Sequence, residues 1–267
     1  MIAYGYPRLS LDSELDLAER IGASVLEILP EWRTLPDPAV LRRAAEGRGL
    51  RIHSAHGCWG GQSIRAERVD LGHPEPAAFR DSLDDLRRCL DWLAAAGGRF
   101  LVVHPGGLST PAEQPARTDA LACGLTALAD HARGAGLIVC VENMPPGVYP
   151  GSRMADLRGL LTRLHLPELA LALDTGHAHL SANVREETLA AGELLRTTHV
   201  HDNLGCSDTH DPPGKGSIDW PAWGAALDAI EYEGPIMLEC VRRLREDPAL
   251  LNQRLLEPLL GTGDAAG

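Results

Sequence analysis

Nine side chains of metal-ligating or proton-transferring type fall at recurrent positions in this sequence. His56, His104, Glu142, Asp174, His199 and Glu239 each close a short apolar run. His177 follows Asp174 by three residues, and Asp208 and His210 lie just beyond the His199 run. Singly, each has an ordinary explanation, because a run-end histidine is commonly a hydrogen-bonded structural group and an aspartate there can cap the next helix. Brought to one place, nine imidazoles and carboxylates would repel or stay unsatisfied unless something neutralised them, and divalent cations do that. Imidazole plus carboxylate without thiolate suits Zn, Mn, Co or Fe(II). Nine donors exceed the needs of one ion, so two or three ions fit, with Glu142 and Glu239 as bridges and some of the nine orienting the others.

The elements that must position these groups are legible as a repeat. Val-, Ile- and Leu-rich runs at Ile2 to Gly5, Val25 to Leu29, Leu50 to His56, Phe100 to His104, Ile138 to Glu142, Leu169 to Asp174, Thr197 to His201 and Pro235 to Glu239 predict eight strands. Between them LDSELDLAERIG, AAFRDSLDDLRRCLDWLAAAGG and TDALACGLTALADHARGAG place apolar residues three and four apart and stop at glycine, as amphipathic helices do. Eight units in 267 residues come to about 33 residues each, the size of a βα step in a (β/α)8 barrel. A doubly wound open sheet is the alternative. A closed barrel is favoured because it gathers the C-terminal ends of all strands at one mouth, where catalytic groups collect. No linker, low-complexity segment or like-charge block interrupts the pattern, so a single domain over residues 1–267 is expected, with Pro111 to Pro115 as a loop or helix start.

Composition bounds the function classes. The chain is 44% hydrophobic and 23% charged, with a net charge of -12 that argues against charge-driven binding to nucleic acid or anionic lipid. No stretch reaches the roughly 18 consecutive apolar residues of a membrane span, and the start lacks a leader pattern, so a cytoplasmic protein is expected. The six cysteines form no CxxC pair, which predicts neither a disulfide framework nor a thiolate zinc site, and most are expected to be buried. Lys215, the only lysine, sits in PPGKGSIDW. It is either a solvated loop residue or a contact for a phosphate or carboxylate beside the metals.

In order along the chain, SAHG at His56, VVHPGG at His104, VENMPPG at Glu142, LALDTGHA at Asp174 and His177, HVHDN at His199, DTHDPPGKGSIDW at Asp208 and His210, and MLEC at Glu239 resemble the xylose isomerase-like barrels. That family includes sugar epimerases, sugar isomerases and the endonuclease IV repair enzymes. The resemblance to its ketose epimerases implies one Mn or Co ion on Glu142, Asp174, His199 and Glu239, the two glutamates also shuttling protons. Those epimerases carry an arginine in the loop after strand seven, where this chain has Asp208-Thr209-His210. An Asp-x-His there, with His56, His104 and His177, resembles the three-zinc endonucleases. Against DNA repair, the start IAYGYPRLSLDSE lacks their His- and Gly-rich segment, and the strand-two loop offers only Trp32 and Arg33 as equipment for gripping a bent duplex.

The leading expectation is a metal-dependent isomerase or epimerase of a small sugar or sugar phosphate. One to three divalent ions, Zn or Mn, would stabilise an enediolate while Glu142 and Glu239 remove and return the proton and His177 polarises a substrate oxygen. His56, His104, His201 and Lys215 are the expected substrate contacts. The runner-up is a zinc-dependent phosphodiesterase of the endonuclease IV type, and a non-catalytic metal- or sugar-binding barrel is third. A homo-oligomer is compatible with the sequence, and a membrane partner is not expected. His53 and His56 should point to opposite sides of their strand, with His56 the ligand. The family form His-x-x-Asp selects His199 over His201, with Asp202 orienting an adjacent imidazole. His179 is expected to be structural, and Trp220 and Trp223 to pack the seventh helix onto the barrel.

Overall fold

A computed structural model of the chain describes residues 1–4, 10–29, 37–58 and 69–256. Residues 5–9 of the segment IAYGYPRLSLDSE, and Trp32 and Arg33, lie outside them. Seven parallel strands pair in strict chain order: β1 (Ile2–Tyr4), β2 (Val25–Leu29), β3 (Arg51–His56), β4 (Phe100–Val103), β5 (Ile138–Glu142), β6 (Leu169–Asp174) and β7 (Leu195–His199). Sequential parallel order with helices between is the ordering of a (β/α)8 barrel, and an open doubly wound sheet would reverse it part way.

The eighth expected strand is reduced to one parallel bridge, Val200 to Leu238, with the Val200 N–H donating to the Met237 carbonyl at 2.8 Å and the Glu239 N–H to the Val200 carbonyl at 3.0 Å. Met1 helps close the ring, because its nitrogen donates to the Val25 carbonyl and lies 3.0 Å from Met237 Sδ. Strand seven also begins and ends two residues earlier than its apolar run predicted.

Several helices start where the sequence supplies a side-chain acceptor. Ser10 caps α1 (Leu11–Arg20), Asp37 caps α2 (Pro38–Glu46) and Glu75 caps α3 (Pro76–Ala96), which ends at Gly97 in the left-handed region. Pro111–Glu113 forms a single 3-10 turn, boxed by Thr110 and Glu113, that leads into α4 (Gln114–Arg133). Then come α5 (Met154–Leu164), α6 (Thr175–Ser181), α7 (Val184–Ala191), α8 (Trp220–Ala229) and α9 (Val241–Glu246).

Strand alternation separates two kinds of core. Leucines such as Leu26, Leu101, Leu171 and Leu173 pack outward against Leu15, Leu86, Leu90 and Leu121 of the helices. The opposite parity holds a separate small cluster, Val102, Cys140, Ala170 and Ala172, inside the barrel. Continuing that parity one step toward the C-terminal strand ends gives His104, Glu142 and Asp174, so the interior is apolar below and ionisable at the mouth. Trp220 and Trp223 are buried, with rings 5.4 Å apart and nearly perpendicular, and pack α8 as expected. The cysteines are all free; Cys89, Cys140 and Cys240 are buried, Cys58 is half-buried, and Cys123 and Cys206 are exposed, fewer buried than expected. Among the described residues, no helix is long and apolar enough to cross a membrane.

Candidate metal centre

Strand ends and the loops behind them bring all nine expected donors to the mouth, in overlapping groups. Glu142, Asp174, His199 and Glu239 present ligand atoms within 4.8 Å of one another; so do His56, His104 and Glu142, and so do His177, His201, Asp208 and His210. Glu142 joins the first two sets: Oε1 is 3.1 Å from His199 Nδ1, and Oε2 is 3.5 Å from His56 Nε2 and 3.6 Å from His104 Nε2. Asp174 joins the first and third, because its carboxylate accepts from His201 Nε2 at 3.0 Å and from the His177 main-chain N–H at 2.6 Å. It caps α6 and faces the cluster with the same group.

The imidazoles are aimed by what holds their far nitrogens. Nδ1 of His56 donates to the Gly57 carbonyl at 2.8 Å, that of His177 to the Asn143 carbonyl at 2.9 Å, and that of His210 to the Glu239 carbonyl at 3.0 Å. Each anchor leaves Nε2 facing a carboxylate of the cluster. Asn143 also braces Asp174, its side-chain amide donating to the Asp174 carbonyl at 3.0 Å and accepting from the Asp174 N–H at 2.7 Å.

Within the set, carboxylates and imidazoles shift one another's protonation. Burial alone would raise the Glu142 carboxyl, but the neighbouring His199, His56 and His104 rings hold it well below the ordinary range. Burial opposes charge on His177 and His210 too, yet Asp174 and Asp208 push His177 up to about 10, and Asp208 and Glu239 do the same for His210. Glu239 moves the other way, raised chiefly by burial. The two glutamates are therefore pushed apart, Glu142 toward base and Glu239 toward acid.

These residues fit divalent ions. His199 Nδ1 and Glu142 Oε2 are buried and make no hydrogen bond although they face other donor atoms at 3.1 to 3.6 Å, as coordinating atoms do in the absence of their ion. The set is all nitrogen and oxygen, and hard enough for Mn or Zn.

Other expectations divide. His201 proves to be a member of the third donor group, stacked on His210 at 3.9 Å, where the His-x-x-Asp form had set it aside. Lys215 is exposed, and among the described residues its amine makes no hydrogen bond or ion pair; its main-chain N–H closes a turn onto Pro212. Asp202 does not orient an imidazole. Its carboxylate accepts from the N–H groups of Asn203, Gly214 and Ile218 and from Trp220 Nε1, holding the loop that carries Asp208 and His210. His179 bonds Ser217 at 2.9 Å, a structural contact as expected. His53 stacks on Phe100, away from His56, and burial lowers it to about 4. Glu27 was missed. It is wholly buried in the middle of β2, and the signal available was a charge inside the apolar run VLEIL.

Residues 15–259 match the xylose isomerase-like TIM barrel family. The chain is 29% identical over 245 residues to L-ribulose 3-epimerase of Methylomonas sp., covering 88% of this chain and 80% of that protein. It is 25% identical over 172 residues to a probable endonuclease 4 of Mycoplasma mobile, 59% of each chain. The fold is similar to that of a crystal structure of D-psicose 3-epimerase in the presence of D-fructose, with a TM-score of 0.78 at 16% identity, covering 97% of this chain and 99% of that one.

Proposed function

The chain belongs to the xylose isomerase-like TIM barrel family, and from that premise we propose that it is a metal-dependent epimerase of a small ketose. The observation that carries this is the buried quartet Glu142, Asp174, His199 and Glu239, in which the two glutamate carboxylates converge on one imidazole nitrogen, 3.1 and 3.4 Å away. The L-ribulose 3-epimerase and D-psicose 3-epimerase similarities support the same class.

A divalent ion held by the quartet would polarise a ketose carbonyl and the adjacent hydroxyl oxygen, acidifying the C–H between them. Glu142 would take that proton and Glu239 would give one back on the opposite face, so that the carbon inverts through an enediolate. His177, its ring fixed by Asn143, donates toward a substrate oxygen. His56, His104 and His201 line the same mouth and meet substrate hydroxyls or further ions. Lys215 is the residue to meet a phosphate, if the ketose carries one. Lys215→Met is expected to raise KM for a phosphorylated ketose and leave the plain sugar unchanged.

Replacing Glu142 or Glu239 by Gln tests the acid-base pair. Each variant is expected to lose about 10²- to 10⁴-fold in turnover while metal stays bound. Full turnover in a metal-loaded double variant would end the assignment. A second reading, a zinc phosphodiesterase, is favoured by one observation: the His56, His104, Glu142 group and the His177, His201, Asp208, His210 group lie beside the quartet, enough donors for three ions that could activate water.

A further inference from the structure

We propose that Glu27 is a positioning residue of the metal centre, holding the His199 ring so that Nδ1 presents its lone pair to the space shared by Glu142, Asp174 and Glu239. The inference rests on the metal-centre reading above. A carboxylate in the middle of a barrel strand is costly to bury unless it is paired. Glu27 is wholly buried, and both of its oxygens are taken: Oε1 accepts from His199 Nε2 at 2.8 Å, and Oε2 accepts from the Ser54 hydroxyl at 2.6 Å. It belongs to none of the donor groups, so it has no oxygen to spare for an ion.

The chemistry of the contact decides its direction. An ionised carboxylate only accepts, so Nε2 of His199 must carry the proton, and in the neutral ring the lone pair is then on Nδ1. Nδ1 is the atom 3.1 Å from Glu142 and 3.4 Å from Glu239, buried and without a hydrogen bond. Main-chain carbonyls anchor His56, His177 and His210, whereas a full negative charge anchors His199 and makes its ring a stronger donor. The sheet builds this pairing. Glu27 and Ser54 are register partners across β2 and β3, at the point where the register shifts between Leu26 and Glu27, a local irregularity of the kind that re-aims a side chain. Ser54 then fixes the plane of the carboxylate.

The test measures Mn²⁺ and Zn²⁺ affinity by chelator competition for the wild type, Glu27→Gln, Glu27→Leu and Ser54→Ala, together with thermal unfolding of each metal-free form. Glu27→Gln keeps the volume and one acceptor and is expected to weaken metal binding about tenfold; Glu27→Leu removes the acceptor and is expected to weaken it about a hundredfold. In the zinc-loaded wild type, nitrogen NMR of labelled histidine is expected to show the His199 proton on Nε2, with its low-field shift lost in Glu27→Leu. Affinities equal to wild type in both Glu27 variants, with only the metal-free melting temperature changed, would reduce Glu27 to a structural buried charge and overturn the inference. A wild type that binds neither ion overturns the metal-centre reading first, and this inference with it.

Discussion

At the scale of single residues, the candidate centre is a set of imidazoles and carboxylates that, on the proposed reading, would hold either protons or metal. His177 and His210 are pushed up to about 10 from an ordinary 6.5, so near neutral pH both are protonated in the metal-free protein. Their ion pairs stabilise that form fully below about pH 6.5 and progressively less as pH rises toward 10. Metal needs them neutral, so loading the sites expels protons, and affinity rises with pH over that window. Calorimetric titration with Zn²⁺ in buffers of different ionisation enthalpy is expected to show net proton release, and the melting-temperature gain on metal loading is expected to be larger at pH 8.5 than at pH 6.5. Binding without proton release would mean that the imidazoles stay out of the coordination. The nine donors were legible in the sequence because each sits at or just after the end of an apolar run, where a barrel gathers its chemistry. Glu27 was not, since attention to run ends passes over a charge in the middle of VLEIL. His201 was expected as a substrate contact, because the His-x-x-Asp form selects His199 as the ligand, and only the fold shows one turned to Glu142 and the other to Asp174.

Among the elements, the connection after β7 has the heaviest task, because Asp208 and His210 reach the mouth from a loop with little regular structure. Asp202 ties it down with four accepted hydrogen bonds, and its main chain pairs with Asp211 in an antiparallel bridge. Gly216 passes so close that a Cβ there would overlap the Asp202 carboxylate and the Asn203 carbonyl. Asp202→Ala is expected to cost roughly 1–3 kcal/mol for each donor left buried and unpaired. It should lower the urea midpoint and remove the metal bound by His177, His201, Asp208 and His210 while sparing the quartet. Unchanged stoichiometry would show that the loop is held by other contacts. A glycine in LDTGHA has a similar role, since a Cβ on Gly176 would overlap the His201 ring. Gly176→Ala is expected to displace that ring at a cost of about 1–3 kcal/mol, readable as a lower melting temperature. Seven strands were legible from apolar runs and capping residues. The eighth, PIMLE, shrank to a bridge because only Val200 and Leu238 pair there, and the role of Asp202 was hidden because its partners lie up to 18 residues along the chain.

For the whole molecule, closing the sheet in chain order turns donors scattered between residues 56 and 239 into one centre, with an apolar plug of Val102, Cys140, Ala170 and Ala172 beneath it. The net charge of -12 takes on a more specific meaning in that light. On the metal-centre proposal part of the acidic excess is ligand, and each divalent ion bound would offset two charges. What remains is a poor electrostatic match for a DNA backbone, so incubation with an abasic-site duplex and Zn²⁺ is expected to leave the strand intact. The central claim is metal-dependent proton transfer at a carbon beside a ketose carbonyl. It is tested most directly by incubating the Mn²⁺-loaded protein with ketopentoses and ketohexoses in D₂O and reading the products by NMR. The expected result is an epimer pair carrying deuterium at the inverted carbon, abolished by chelation. Ketoses recovered undeuterated, with the abasic duplex cut in the same preparation, would contradict it.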